Sequence, residues 1–343
     1  MKKAKEAVEQ WNSRERVLTA FNHEEPDRVP LFECWIESEI VTIMGGDPHL
    51  AREKLGLDCM PLGSHPPNTR AYGEGIDEWG RIFKKGQYGG GMVKTQEDLE
   101  KYTAPLSHAR DWFFPKKIKE TRRKYGEEHA LYFAWHDCSL GLAYMSLGME
   151  FFFQSLYEKP ELVRAAVERS TEWTIALVEQ ANAAEVDFIV LGDDAADNSR
   201  PLISPRMFRE LILPEYTKIT KASDVPIIWH SDGNVKPLLP VIVEAGFAGV
   251  HSLESKAGVD LAEIKRQFGE KLVLAGNLDT TSVLCQSNHN LVRKDVERCI
   301  KQGAPGGGYL FSSSNSLFEG HNIDSIFEAY RHARKIGRYP IRL

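Results

Sequence analysis

The chain has 343 residues, 42% hydrophobic and 27% charged, which suits a globular protein with a sizeable core built as one α/β barrel or as two ordinary domains. Its formal charge of -6, with both signs interspersed, argues against nucleic acid or an anionic membrane as the main partner. No apolar run nears the about 20 residues that span a bilayer, the opening MKKAKEAVEQWNSRERV lacks the apolar core of a secretory signal, and the five cysteines never form a CxxC pair, so a cytoplasmic, reducing setting without a disulfide framework is expected.

Residues 3–23 read as helix, within an N-terminal helical extension covering 1–28. Strand candidates follow at 29–34 (VPLFEC) and 57–62. The segment 75–86 (GIDEWGRIFKKG) has turn residues at both ends and reads as a small hairpin insertion. A third strand is expected at 130–138 (ALYFAWHDC), and Pro160 opens a long helix where its missing N–H costs nothing. Five more apolar runs come at 187–194, 226–233, 247–254, 272–279 and 307–314, each continuous in polarity, as in parallel strands covered on both faces. The helices between them have readable ends: Ser204-Pro205 supplies an N-cap and first-turn proline, and Gly269 closes the helix before the next strand. Eight strands in β-α rhythm predict a (β/α)8 TIM barrel, an α/β fold, occupying 1–343 as one domain. The glycine run 303–308 lacks the phosphate-loop pattern and precedes its strand, which assigns it to a loop on the face away from the barrel mouth.

The polar residues gather where the later strands stop. The runs end in Asp193-Asp194, in His230-Ser231-Asp232, in His251 to Glu254, in Asn277-Leu278-Asp279 and in Ser312 to Asn315. In such a barrel the carboxyl ends of the strands carry the active site. Asp, Ser and Asn at a strand end also serve as turn formers and helix caps. Residues i and i+2 of an extended segment share a side, so His230 and Asp232 both face the mouth. With Glu254 from the next strand they make a candidate three-ligand metal set, zinc among the ions suited, although a His-x-Asp pair is equally a structural hydrogen-bonded pair. Trp35, Trp135, Tyr309 and Phe311 are candidates for an aromatic pocket or for core. Cys138 and Cys285 read as small hydrophobes rather than nucleophiles.

From Leu202 onward, LISPRMFRELILPEY, IIWHSDGN, LVLAGNLD and GGGYLFSSSN resemble the uroporphyrinogen decarboxylase superfamily, and RERVLTAFNHEEPDRVP with the DEWG segment extends the likeness toward the N-terminus. The resemblance implies a (β/α)8 barrel. True decarboxylases of that superfamily carry a substrate-gripping arginine motif after the first strand, where this chain reads Phe32-Glu33-Cys34-Trp35-Ile36-Glu37-Ser38, with acids in place of cations. The chain looks most like the cobalamin-dependent methyltransferases and aryl methyl ether O-demethylases. Thiol-methylating members of that branch hold zinc through His-x-Cys and a later Cys; here the corresponding stretches are His230-Ser231-Asp232 and Ser312 to Ser314.

With carboxylate in place of thiolate, the resemblance implies a methyltransferase that demethylates a methoxylated aromatic compound and passes the methyl group to Co(I) of a corrinoid protein. His230, Asp232 and Glu254 are then the catalytic and metal-binding candidates, and Asp193, Asp194, Asn277, Trp35 and Trp135 the substrate-binding ones. The Asp-x-His-x-x-Gly corrinoid motif is absent, its nearest approach at Asp47-Pro48-His49 failing at the glycine, so the corrinoid belongs on a separate carrier protein. A homodimer is among the assemblies this reading admits. The alternatives are a metal-free decarboxylase, a methylcobamide:thiol methyltransferase, and a barrel that binds without turnover.

Overall fold

The computed structural model describes residues 11–62, 74–102 and 104–342. Strand β1 (Cys59–Pro61) is followed by β2 (Gly75–Ile76), β3 (Arg81–Lys84) and β4 (Gln87–Gly91), and then by β5 (Ala130–Trp135), β6 (Phe188–Gly192), β7 (Ile227–Ser231), β8 (Gly249–Ser252), β9 (Val273–Leu278) and β10 (Tyr309–Ser313). β1 and β5 to β10 pair in that order into one seven-stranded parallel sheet. Their apolar runs are buried almost throughout because helices cover the outer face while the opposite face lines an interior.

The expected first strand at 29–34 is present as an irregular stave that joins the two edges of the sheet. Phe32 N–H donates to the Phe311 carbonyl (2.9 Å), Phe311 N–H to the Pro30 carbonyl (2.9 Å), and Asp58 N–H to the Leu31 carbonyl (2.8 Å). Pro30 has no N–H to give, and the regular pairing with β10 reduces to a bridge between Leu31 and Phe311. Seven strands and this stave close the (β/α)8 barrel.

Alternation along the strands sorts residues into two cores. Phe32, Tyr132, Phe188, Val190, Ile228, Val273, Ala275 and Leu310 fill the barrel interior. Their neighbours Phe133, Ile189, Trp229 and Leu274 pack outward under the helices. The Tyr132 and Phe188 rings stack with centroids 5.3 Å apart. Helix Ser13–Phe21, started by a reciprocal Asn12–Glu15 capping box, closes the amino end of the barrel, with Val17 and Ala20 in the interior core. Residues 3–10 of the expected N-terminal helix lie outside the described residues.

The expected hairpin at 75–86 is part of a three-stranded antiparallel meander, β2-β3-β4, which runs on to Gly91. Gly91 lies against the helix Ser139–Leu147 so closely that a Cβ would be 2.2 Å from the Ser146 carbonyl oxygen. Ser204 accepts from Met207 N–H and begins its helix, and Pro160 begins the helix Pro160–Ala183. Gly269 ends its helix with φ -64, an ordinary right-handed conformation rather than the left-handed one typical of a glycine stop. The 303–308 loop sits at the amino end of β10, where a Cβ on Gly307 would be 2.4 Å from the Glu24 carbonyl and one on Gly308 2.7 Å from His23 Nδ1, so these two glycines serve packing against the N-terminal segment. Among the described residues no helix is long and apolar enough to cross a membrane.

Candidate active site

The interior phase of three adjacent strands continues past their last apolar residue and brings three polar side chains together. Tyr132 and Ala134 lead two residues at a time to His136, Val190 and Gly192 to Asp194, and Ile228 to His230 and Asp232. One ligand atom each from His136, Asp194 and His230 lies within 4.8 Å of the others. His136 Nε2 is 3.6 Å and His230 Nε2 4.0 Å from Asp194 Oδ1, while His230 Nε2 is 3.9 Å from Asp232 Oδ1. These separations exceed a hydrogen bond, so the donor atoms face one another across a gap. Gly192 permits the arrangement: a Cβ there would lie 3.0 Å from His230 Cδ2 and 3.2 Å from His136 Cδ2.

Both imidazoles are held from behind. His136 Nδ1 lies 2.9 Å from Asp137 Oδ1, and Asp137 Oδ2 accepts from Arg81 Nη1 of the meander at 2.7 Å. Arg81 Nε also donates to Asp77 Oδ2 at 2.7 Å. His230 Nδ1 lies 2.7 Å from His251 Nδ1, and His251 Nε2 is 3.3 Å from the Ser312 hydroxyl. Trp35, just past the stave, covers the group edge to face, its ring centroid 4.7 Å from His230, 5.7 Å from His136 and 6.4 Å from His251.

The charges follow from this packing. Burial opposes charge on both His136 and Asp194, yet the attraction between them outweighs it, raising the His136 pKa well above the usual imidazole value and depressing that of Asp194. Burial, with His251 and His136 nearby, pushes His230 well down, toward the neutral ring. Asp232 accepts from Ser252 Oγ at 3.0 Å and from Asn315 Nδ2 at 2.6 Å. Burial and the Asp194 carboxylate raise its pKa to about 7.

Of the residues singled out in the sequence, His230, Asp232, Asp194 and Trp35 meet at this mouth. Glu254 accepts from Gly233 N–H at 3.0 Å and is not one of the converging atoms. Asp193 is in the opposite phase from Asp194: it accepts from Leu140 N–H, Gly141 N–H and the Tyr216 hydroxyl at 2.9, 2.7 and 2.7 Å, at the start of helix Ser139–Leu147. Trp135 belongs to the outer core and donates to the Asp137 carbonyl at 3.1 Å. Asn277 is turned away as well: Gly276 has φ +140, and the Asn277 amide binds the Leu253 carbonyl (2.9 Å) and Arg298 Nη1 (2.9 Å). Sequence reasoning missed His136, although the period-two step from Tyr132 through Ala134 points at it. Asp47 caps helix Pro48–Leu55, and His49 Nε2 is 3.1 Å from the Pro61 carbonyl.

The sequence of residues 89–336 matches the uroporphyrinogen decarboxylase (URO-D) family. The chain belongs to that family. Within it, the chain is 28% identical over 166 residues to a methylcobamide:CoM methyltransferase of Methanosarcina barkeri, covering 47% of this chain and 48% of that protein. It is 23% identical over 176 residues to a uroporphyrinogen decarboxylase of Coxiella burnetii, covering 49% and 44%. The matched stretches thus span about half the length of these curated relatives or less. A methyltransferase structure from Methanosarcina mazei superposes with a TM-score of 0.77 at 20% identity, over 95% of this chain and 99% of that one, so this URO-D family member shares its barrel.

Two imidazole nitrogens and one carboxylate oxygen, each imidazole backed by a partner on its other nitrogen, form a donor set suited to zinc with a position left open. Four of the five cysteines are buried and none belongs to this cluster, so its donors are nitrogen and oxygen. Arg81, behind His136, is engaged by Asp77 and Asp137.

Proposed function

We propose that the chain is a corrinoid-dependent methyltransferase that takes a methyl group from an oxygen donor, with methoxylated aromatic compounds the class favoured, and delivers it to Co(I) of a separate corrinoid protein. The observation carrying this reading is the convergence of His136, Asp194 and His230 at the mouth without any thiol. The similarity to a methylcobamide:CoM methyltransferase supports the corrinoid chemistry, and the thiol-free donor set favours oxygen over sulfur as the atom acted upon.

In the reaction the methyl carbon–oxygen bond breaks as the Co(I) electron pair forms the carbon–cobalt bond, and the departing oxygen keeps the old bonding pair and takes up a proton. A phenolate leaves poorly unless its negative charge is met. His136, Asp194 and His230 would hold a zinc ion, which when bound supplies Lewis acidity toward that oxygen. Asp232, beside His230 and with a pKa near neutrality, is placed to give the proton. Trp35 forms the wall against which an aromatic ring would lie. Asp194, Asp232 and Glu254 near the mouth disfavour the octacarboxylate substrate of a uroporphyrinogen decarboxylase.

Anaerobic mixing with a Co(I) corrinoid carrier and a panel of methoxyarenes tests this, the expected result being methyl-cobalt absorbance with at least one donor, lost in His136→Ala and His230→Ala. Absence of the band with every donor, or carbon dioxide release from an acid without corrinoid, would remove the reading.

A further inference from the structure

We infer that Asn315 is a positioning residue for Asp232: its side-chain amide grips one carboxylate oxygen, so that the other is turned to the gap in front of His230. The inference deepens the reading of Asp232 given above and rests on it for its catalytic consequence, although the grip itself can be tested without substrate or metal.

Donor and acceptor in this contact are fixed by the chain. Ser316 N–H, which can only donate, lies 2.6 Å from Asn315 Oδ1, so the other arm of the amide, Nδ2, is the atom that meets Asp232 Oδ2 at 2.6 Å. A flipped amide would set two donors face to face at Ser316 and two acceptors face to face at Asp232. Asp232 needs the grip because the torsion that turns a carboxylate is broad. Ser252 Oγ reaches Oδ1 at 3.0 Å but also lies 3.3 Å from the Ser231 carbonyl, and one hydroxyl hydrogen cannot serve both. With a bond at each oxygen the swivel stops, and Oδ1 faces His230 Nε2 across 3.9 Å.

Asn315 is itself held from both sides. Two residues before it, Ser313 gives its N–H (2.6 Å) and its hydroxyl (2.8 Å) to Glu33, a buried carboxylate that also accepts from the Tyr330 hydroxyl. Two residues after it, Leu317 N–H donates to the Trp35 carbonyl at 3.1 Å, and the Leu317 carbonyl accepts from Glu37 N–H at 2.8 Å. The loop beyond β10 is thus tied at both ends to the stretch from Glu33 to Glu37, which the sequence singled out for its acids. Glu33 anchors the loop that orients a second carboxylate at the mouth. The amide that does the orienting is neutral, so unlike an arginine it leaves the charge of Asp232 uncancelled.

The test uses the full chain, 15N-labelled at asparagine, with the Asn315→Asp spectrum assigning the Asn315 signal. In the wild-type protein one Asn315 amide proton should lie downfield and exchange slowly, and in Asp232→Ala it should return to the position of a solvated amide. In the methyl-cobalt assay Asn315→Ala should lower kcat ~10- to 100-fold with the donor KM within about threefold of wild type, as a misplaced reacting group would. Asn315→Asp keeps the oxygen that Ser316 uses but sets carboxylate against carboxylate, so its kcat should fall further. A residue that only shapes the turn predicts the reverse order, with Asn315→Asp behaving as wild type, and that result overturns the inference. So does an unchanged kcat in Asn315→Ala, or a solvated Asn315 amide in the wild-type protein; circular dichroism confirms that each variant is folded. If the wild-type protein transfers methyl from no donor, the proposed function falls, and the amide signal alone decides whether Asn315 holds Asp232.

Discussion

The barrel places acids at both of its ends and treats them in opposite ways. At the amino end Asp58 is fully buried and saturated: it accepts from Ser13 Oγ (2.6 Å), Arg16 Nη1 (2.8 Å), both Arg28 Nη atoms (2.7 and 2.9 Å) and Leu31 N–H (2.7 Å). Burial opposes its charge, but the two guanidinium groups outweigh burial and depress its pKa. At the carboxyl end Asp194 is partly exposed, accepts one backbone N–H at 3.2 Å from Asp232, and otherwise faces imidazole nitrogens 3.6 and 4.0 Å away. A carboxylate with every lone pair occupied ties elements together, here the N-terminal helix, the stave and β1. One with capacity to spare is available to bind something else.

Substitutions at the two ends should therefore separate stability from function. Asp58→Ala removes the buried carboxylate that pairs with Arg28 and one of the two that pair with Arg16, which keeps Asp27, and an unfolding loss of ~3–5 kcal/mol is expected in denaturant titrations. Asp194→Asn should shift the same curves by less than ~1 kcal/mol, yet lower methyl-cobalt formation by at least ~100-fold, a loss on the scale of removing a charge-stabilising group from a reacting centre. Comparable destabilisation by both would erase the contrast.

The meander sharpens the comparison, because Arg81 is buried like Arg28 but serves the mouth through Asp137. Asp137→Asn keeps the shape and weakens the hold on His136 Nδ1; Zn2+ affinity should fall ~10–100-fold in chelator competition, with little change in the thermal midpoint.

A further effect concerns pH. Glu33, buried between the stave and helix Ile323–Ile336, accepts from Ser313 N–H at 2.6 Å and Ser313 Oγ at 2.8 Å and from the Tyr330 hydroxyl. Burial outweighs these donors and raises its pKa from 4.5 to about 7. A carboxyl whose folded pKa lies above its unfolded one contributes most below the unfolded value and progressively less as pH rises toward the folded one. Stability should thus decline between pH 4.5 and about 7, with a slope from this group of at most ~1.4 kcal/mol per pH unit. Glu33→Gln should flatten that part of the melting-temperature profile; an unchanged slope would show that other groups set it.

Much of the barrel is legible in the chain itself, since continuous apolar runs, helix-opening Ser204-Pro205 and the strand count follow from local chemistry that neighbours do not alter. Parity alone, carried through consistently, separates Asp194 from Asp193 and singles out His136, because both follow the side-chain alternation of the strand before them. What parity cannot supply is the turn at Gly276 that sends Asn277 to Arg298, or the binding of Glu254 to the Gly233 amide. Nor can it foresee that 29–34 closes the ring as a stave, which depends on the reach of β10 and β1 on either side of Pro30. The sequence thus determined the barrel, the end that bears the polar residues, and the absence of cysteine pairs. The tertiary structure alone decided which acids are saturated and which are left facing a gap, because hydrogen-bond capacity is consumed by neighbours that lie far away along the chain and come near only when the barrel closes.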